Sequence, residues 1–184
     1  MPEIVGPTLE TARLVLRPLT AGDFDAWAAF SADDRVMRHL GGVQPRSMAW
    51  RGFTSSAGSW ALQGFGMFSV IERASGRWIG RIGPHRPEGW PGDEVGWGLI
   101  HDAWGKGYAV EAAAASMDFA VDTLGWNEII HCIDDANEPS QAVAARLGST
   151  RLRTDRLPPP VDVEIAIWGQ TADQWRARRL ETTL

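Results

Sequence analysis

The chain has 184 residues, 44% apolar and 22% charged, enough for one domain with a sizeable core and unlike a disordered or fibrous composition. Its formal charge of −5 argues against a nucleic-acid partner, which calls for a basic face, and suits a cationic acceptor such as an amine. Cys132 is the only cysteine, no basic stretch leads into an apolar run at the N-terminus, and no apolar run is bilayer-length, so a disulfide-free cytoplasmic protein with no metal and no membrane partner is expected.

Taken in chain order, Arg13 to Pro18 alternates as a strand and is ended by its proline. Thr20 with Asp23 resembles a capping box, and Phe24, Trp27, Ala28 and Phe30 supply the apolar stripe of the helix behind it. Further helical pieces are expected near Asp34 to Leu40 and Ser47 to Leu62, where Trp50, Phe53 and Trp60 read as core. Met67 to Glu72 and Arg77 to Ile82 flank a hairpin turn at Ala74-Ser75-Gly76, and Glu94 to Ile100 is the next strand. From Gly107 to Leu124, Val110, Ala113, Met117, Val121 and Leu124 recur at three and four residues, the clearest helix of the chain.

Ile129 to Ile133 is a near-unbroken apolar run, as a strand covered on both faces should be. Pro139 and Gly148 bracket a short helix. Strands near Thr150 to Thr154 and Val161 to Ile167 lead to a last helix around Ala172 to Leu180. The order predicts a single α/β (α+β) domain: a mixed, mostly antiparallel twisted sheet of about six or seven strands with helices on both faces.

Chemistry concentrates between Glu94 and Ala109. A strand runs into a loop carrying Gly105, Lys106 and Gly107, and the loop opens a helix. Such a loop turns consecutive N–H groups toward one point, where the helix dipole adds positive potential; a pyrophosphate fits there. Other phosphate loops fit worse. Ile100 stands where a P-loop needs its first glycine, and Val110 stands where the dinucleotide fingerprint needs Gly or Ala. On the strand, Glu94, Gly96, Gly98 and Ile100 share one face, which two glycines strip of side chains. Glu94 is the first candidate for a general base, with His85 and His101 as alternatives; Cys132, inside an apolar strand, reads as packing.

Trp104-Gly105-Lys106-Gly107-Tyr108-Ala109, followed by Glu111-Ala112, resembles the coenzyme A pyrophosphate loop of the GNAT acyltransferases, in the form used by RimJ/RimL-type ribosomal-protein N-acetyltransferases. Thr11 to Pro18, Glu94-Val95-Gly96-Trp97, and Asn137-Glu138-Pro139-Ser140 through Gly148 resemble the same branch in the same order. The resemblance implies acetyl transfer from acetyl-CoA to a primary amine, a protein N-terminus or a small amine, by direct attack in a ternary complex, in a monomer or homodimer. A coenzyme-binding sensor without catalysis is the alternative. It also implies that Leu99, Ile100, Trp104, Gly105, Lys106, Gly107, Tyr108, Ala109 and Asn137 contact the cofactor, that Ser140 acts as general acid, and that the strand before the loop is bulged.

Two departures stand out. Ser149 replaces the aromatic residue usual in that branch, which implies a more open pocket wall. Asp155 to Pro160, with three consecutive prolines, is expected to run stiff and extended at the mouth of the site.

Overall fold

The computed structural model describes residues 5–182. In chain order these form β1 (Leu9–Glu10), β2 (Leu14–Arg17), α1 (Phe24–Ala32), α2 (Asp34–Met37), α3 (Arg46–Gln63), β3 (Phe68–Glu72), β4 (Trp78–His85) and β5 (Glu94–Leu99). Then come α4 (Tyr108–Asp122), β6 (Glu128–Ile133), α5 (Glu138–Leu147), β7 (Thr150–Arg156), β8 (Glu164–Thr171) and α6 (Ala172–Thr182). The strands make one sheet of eight in the order β1-β2-β3-β4-β5-β6-β8-β7, one or two more than expected. Two-residue β1 is too short to carry a periodic signal; it exists because it pairs with β2.

Every neighbouring pair is antiparallel except β5 and β6. Leu14, Leu16, Phe68, Val70, Ile79, Ile82, Val95 and Leu99 pack against α4, whose Ala112, Ala113 and Ala120 let the helix lie close. On the opposite face Leu19, Trp27, Phe30, Val36 and Met37 pack over Trp78. The α3 helix bridges the two cores: Phe53 belongs to the second and Trp60 to the first. Trp50 corrects the sequence reading, since it is 49% exposed and meets Phe24 edge-on and Phe53 stacked from outside the core.

Local signals act as read at several ends. The Thr20 N–H donates to the Asp23 carboxylate at 2.8 Å, and Asp23 is further held by the Arg17 fork and the Ser69 hydroxyl, which fixes the entry to α1. Asn137 caps α5, its Oδ1 accepting from the Ser140 N–H, and Gly148 ends that helix at φ +90°. Pro139 falls on the second helical residue rather than the first.

Strand β4 runs three residues past its expected end, because Gly83, Pro84 and His85 keep pairing with Gly96, Val95 and Glu94. Pro84 causes no loss there. The ladder alternates, so Val95 turns its polar groups away from β4, as its C=O accepting from His131 Nδ1 shows.

The proline segment also differs from expectation. It is a tight turn, with the Val161 N–H donating to the Pro158 C=O and the Leu157 N–H to the Val163 C=O. Residues 157–163 thus close the β7–β8 hairpin instead of running extended, and β8 begins at Glu164 rather than Val161.

Candidate active site

The parallel pair β5–β6 is where the sheet opens. Their register has the single pairing Glu94↔Ile130, and beyond it the strands part. Because Ile100 N–H bonds the Ile79 C=O on the β4 side, alternation turns the polar groups of Val95, Trp97 and Leu99 toward the opening. Two of these have internal partners: the Val95 C=O accepts from His131 Nδ1 at 2.7 Å, and the Leu99 C=O accepts from the Trp104 indole at 2.8 Å. The N–H groups of Trp97 and Leu99 and the Trp97 C=O are left on an open strand edge, free to bond an extended amide-bearing chain. The expected bulge in this strand is absent. The β4–β5 register is continuous, and the irregularity lies between Val70 and Ile71 of β3.

The glycine loop continues from that edge. Gly105 and Gly107 lie at φ +71° and +78°, where a side chain is strained, and Gly107 is the cap from which α4 starts. The helix's first internal bond joins the Glu111 N–H to the Gly107 C=O, so the N–H groups of Tyr108, Ala109 and Val110 have no helical acceptor. Arg13 clamps the loop from outside. Its Nη1 donates to the Lys106 C=O at 2.8 Å, while Nε and the backbone N–H hold the two Glu111 oxygens. These backbone donors, at a helix N-terminus with nothing above either glycine but the Arg13 guanidinium, suit a pyrophosphate.

The side chains of the nine expected cofactor residues divide. Tyr108 faces away, its ring under the Arg13 guanidinium and its hydroxyl donating to Glu72. Leu99 is buried in the core, and Ile100 packs between both cores with its N–H and C=O already bonded to Ile79 and Ala103. Trp104 is half exposed and pins the loop to the strand end through Leu99. Lys106 is exposed.

Below the opening lies a cavity of about 710 Å³ that takes in Glu94, Ser140 and Asn137 together. Glu94 is buried at 6% exposure, its Oε2 accepting from Trp90 Nε1 at 2.6 Å and its Oε1 from the Cys132 N–H at 3.0 Å. Burial pushes its pKa up to about 6, against the pull of those two hydrogen bonds and of Arg81. Ser140 Oγ accepts from Trp97 Nε1 at 3.2 Å, so its proton is free to point elsewhere. Asn137 spends Oδ1 on the α5 cap and turns toward the cavity as well.

His85 also lines the cavity, edge-on to Trp90, and burial drops its pKa to about 4. His101 is elsewhere, exposed beside Arg35 and Trp104. Burial and the Glu94 charge push the Cys132 thiol up, so it is no nucleophile.

Two expectations are overturned here. The bare face at Gly96 and Gly98 is not an open bed: a β-carbon at Gly98 would lie 2.9 Å from Phe30, and one at Gly96 would lie 2.9 Å from Met67. The glycines let these side chains close on the strand. Ser149 does not open the pocket wall either. It is buried, donating to Nε2 of His131 and accepting from Gln170 Nε2. That chain holds His131, neutral with its pKa driven down to about 4 by burial, across the opening between β5 and β6.

Sequence reasoning missed Arg81, Met67, Trp90 and His131, all of which line the cavity. Among the described residues no group of three or more His, Cys, Asp and Glu is placed to hold a metal ion, and no helix is long and apolar enough to cross a membrane.

Comparison with known proteins bears on this geometry. The family model for the acetyltransferase (GNAT) domain matches residues 13–150. A solved acetyltransferase from Agrobacterium tumefaciens superposes with a TM-score of 0.79 at 35% identity, covering 89% of this chain and 94% of that one. The FsC-acetyl coenzyme A-N(2)-transacetylase of Aspergillus fumigatus is 27% identical over 187 residues, 92% of this chain and 78% of the relative. An uncharacterised N-acetyltransferase of Bacillus subtilis, YnaD, is 28% identical over 144 residues, 78% of this chain and 82% of the relative. With the family's domain matched from β2 into β7, the chain belongs to the GNAT family and is an acetyltransferase that draws its acyl group from acetyl-CoA.

Proposed function

We propose that the protein moves the acetyl group to a primary amine of a small molecule or a chain terminus, by direct attack within a ternary complex. The observation that carries this reading is Glu94: a buried carboxylate of raised pKa, fixed by two hydrogen bonds, in the cavity beneath an open strand edge. An acceptor amine arrives protonated at neutral pH and must lose a proton before it can attack. With a pKa of about 6, Glu94 is largely ionised at pH 7 and still basic enough to receive that proton.

Acetyl-CoA supplies, when bound, a thioester carbonyl open to an uncharged nitrogen and a thiol as leaving group. The N–H groups of residues 105–110 are the candidates to hold its pyrophosphate, and those of Trp97 and Leu99 to hold its amide arm and carbonyl oxygen. Ser140, hydrogen-bonded by Trp97 and lining the cavity, is the candidate hydroxyl proton source. The name of the Aspergillus relative, an N(2)-transacetylase using acetyl coenzyme A, is in keeping with a nitrogen acceptor. The turn at residues 157–163 supports a small or slender acceptor, because Leu157, Pro160 and Val161 stand along the cavity wall.

Thiol release from acetyl-CoA, followed over a panel of amino acids, amino sugars, polyamines and peptides with varied N-termini, tests the proposal. Stimulation by primary amines is expected. Acetylation confined to internal lysines of folded proteins, or no stimulation above hydrolysis, overturns it.

A further inference from the structure

Arg81 lies on β4 directly opposite Gly98 of β5, on the face that carries Glu94. Its guanidinium is sunk into the cavity wall against the Trp27 and Phe30 rings, 5.2 and 5.8 Å from their centroids. Its Nε is buried with no hydrogen-bond partner, and its Nη1 reaches only the sulfur of Met67, a weak acceptor. No ion pair joins it to a carboxylate among the described residues. Glu94 is near enough for its charge to be felt, but both Glu94 oxygens already accept from Trp90 and Cys132.

Neither of the other carboxylates lining the cavity bonds Arg81. Asp134 is bonded to His39 across the rim, and Glu164 is exposed at the start of β8. A largely desolvated guanidinium with no anion hydrogen-bonded to it is costly to a fold. Aromatic faces offset part of that cost but leave the fork of N–H donors unmet. That fork is the shape a carboxylate answers with two parallel hydrogen bonds.

Resting on the proposed amine acetylation, we infer that Arg81 receives a carboxylate of the acceptor, which is therefore an amino acid carrying amine and acid on one small molecule. The geometry suits such a zwitterion. Its acid end meets the buried cation, and its ammonium lies toward Glu94, the two protein groups standing on one sheet face with only Gly96 between them on β5. Met67, whose sulfur touches Arg81 and whose methyl lies over Gly96, covers the strand in that interval and forms its floor, so the zwitterion lies above it in the cavity.

The test compares kcat/KM at saturating acetyl-CoA for α-, β- and γ-amino acids against the matching amino amides, in the wild type, Arg81→Lys and Arg81→Met. In the wild type at least one acid should exceed its amide by about 100-fold, because a site built to bond a group rejects the analogue lacking it. Arg81→Met should bring that acid down to the level of its amide. Arg81→Lys should fall between, keeping the charge without the fork.

A wild-type enzyme that turns over amides as readily as acids overturns the inference and leaves amine acetylation standing. So does an acid preference that survives in Arg81→Met. Failure of every amine to release thiol overturns the amine reading itself. Should Arg81→Met not fold, the wild-type panel still decides, joined by thermal melts with N-acetyl amino acids and their amides. Only the acids should raise the midpoint.

Discussion

At the end proposed for the donor the chain presents backbone: two glycines at positive φ, the first turn of α4, and the unpaired edge of β5. At the end proposed for the acceptor it presents side chains: Arg81 from β4, Trp90 from the β4–β5 loop, Glu94 from β5, Met67 just before β3, and Ser140 from α5. The two regions meet at the splay that His131 holds open. A pyrophosphate and an amide arm are the same in every turnover, so N–H groups fixed by chain geometry suffice for them. An acceptor must be deprotonated and distinguished, which needs groups whose charge burial can tune. The donor end should therefore resist side-chain changes and fail when a glycine gains a β-carbon. The acceptor end should do the reverse.

Glu94→Gln is the strongest lever. Loss of the base should lower turnover by about 10²–10⁴-fold while leaving acetyl-CoA affinity close to that of the wild type. The acidic limb of the wild-type kcat/KM profile, expected with an apparent pKa of about 6, should vanish in the variant. Stability carries the same signature with a definite sign. The folded pKa lies above the ordinary 4.5, at about 6, so the folded state holds this proton more tightly than the unfolded chain. The stabilisation is present at acid pH and lost as pH rises through the folded value. Against Glu94→Gln, the wild type should lose about 2 kcal/mol between about pH 4 and about pH 8. Denaturant midpoints that move in parallel across that range would exclude a buried, titrating carboxylate.

Gly107→Val attacks the other region. At φ +78° a β-branched residue costs about 1–3 kcal/mol, and the loop would relax by turning its N–H groups off target. Calorimetry should record acetyl-CoA binding about 10- to 100-fold weaker, at 1.4 kcal/mol per tenfold. Unchanged affinity in a folded Gly107→Val protein would remove the loop from the cofactor site. A shifted acidic limb would show that the two regions are less separable than their construction suggests.

The same division explains what was legible. Gly105, Gly107 and the α4 stripe are properties of neighbouring residues, so the loop, the helix and the strand before them could be read along the chain. Ser140 and Asn137 were legible as a cap, which they are. Arg81 was not, because in Trp78-Ile79-Gly80-Arg81-Ile82 an arginine between apolar residues is ordinarily the solvated face of a strand. Only the closure of α1 over β4 and β5, with Phe30 against Gly98, buries it. The signal available was the pairing of glycine with arginine across two strands, which needs a register that sequence does not supply. The turn at residues 157–163 failed for a related reason: three prolines favour extension in isolation, while hairpin closure between β7 and β8 bends them. Ser149 misled because its hydroxyl has partners, His131 and Gln170, that lie far along the chain.

The smallest effect sharpens the comparison most, because it asks whether the donor loop is purely a matter of backbone. Arg13 touches no position expected to react. It bonds the Lys106 C=O and shares Glu111 with the Thr11 hydroxyl, tying the start of β2 to the first turn of α4. Its side chain is 48% exposed against 18% for Glu111, and pairs of that exposure contribute about 0.2–1 kcal/mol. Arg13→Ala should accordingly weaken acetyl-CoA by no more than about two- to fivefold, with the acidic limb set by Glu94 unmoved. Glu111→Gln, which keeps the shape and removes the charge, should reproduce part of that loss. Affinity equal to the wild type in Arg13→Ala would mean that the glycine dihedrals alone hold the cradle. A loss as large as that of Gly107→Val would mean that the guanidinium is itself a phosphate ligand and that the donor end, too, depends on a side chain.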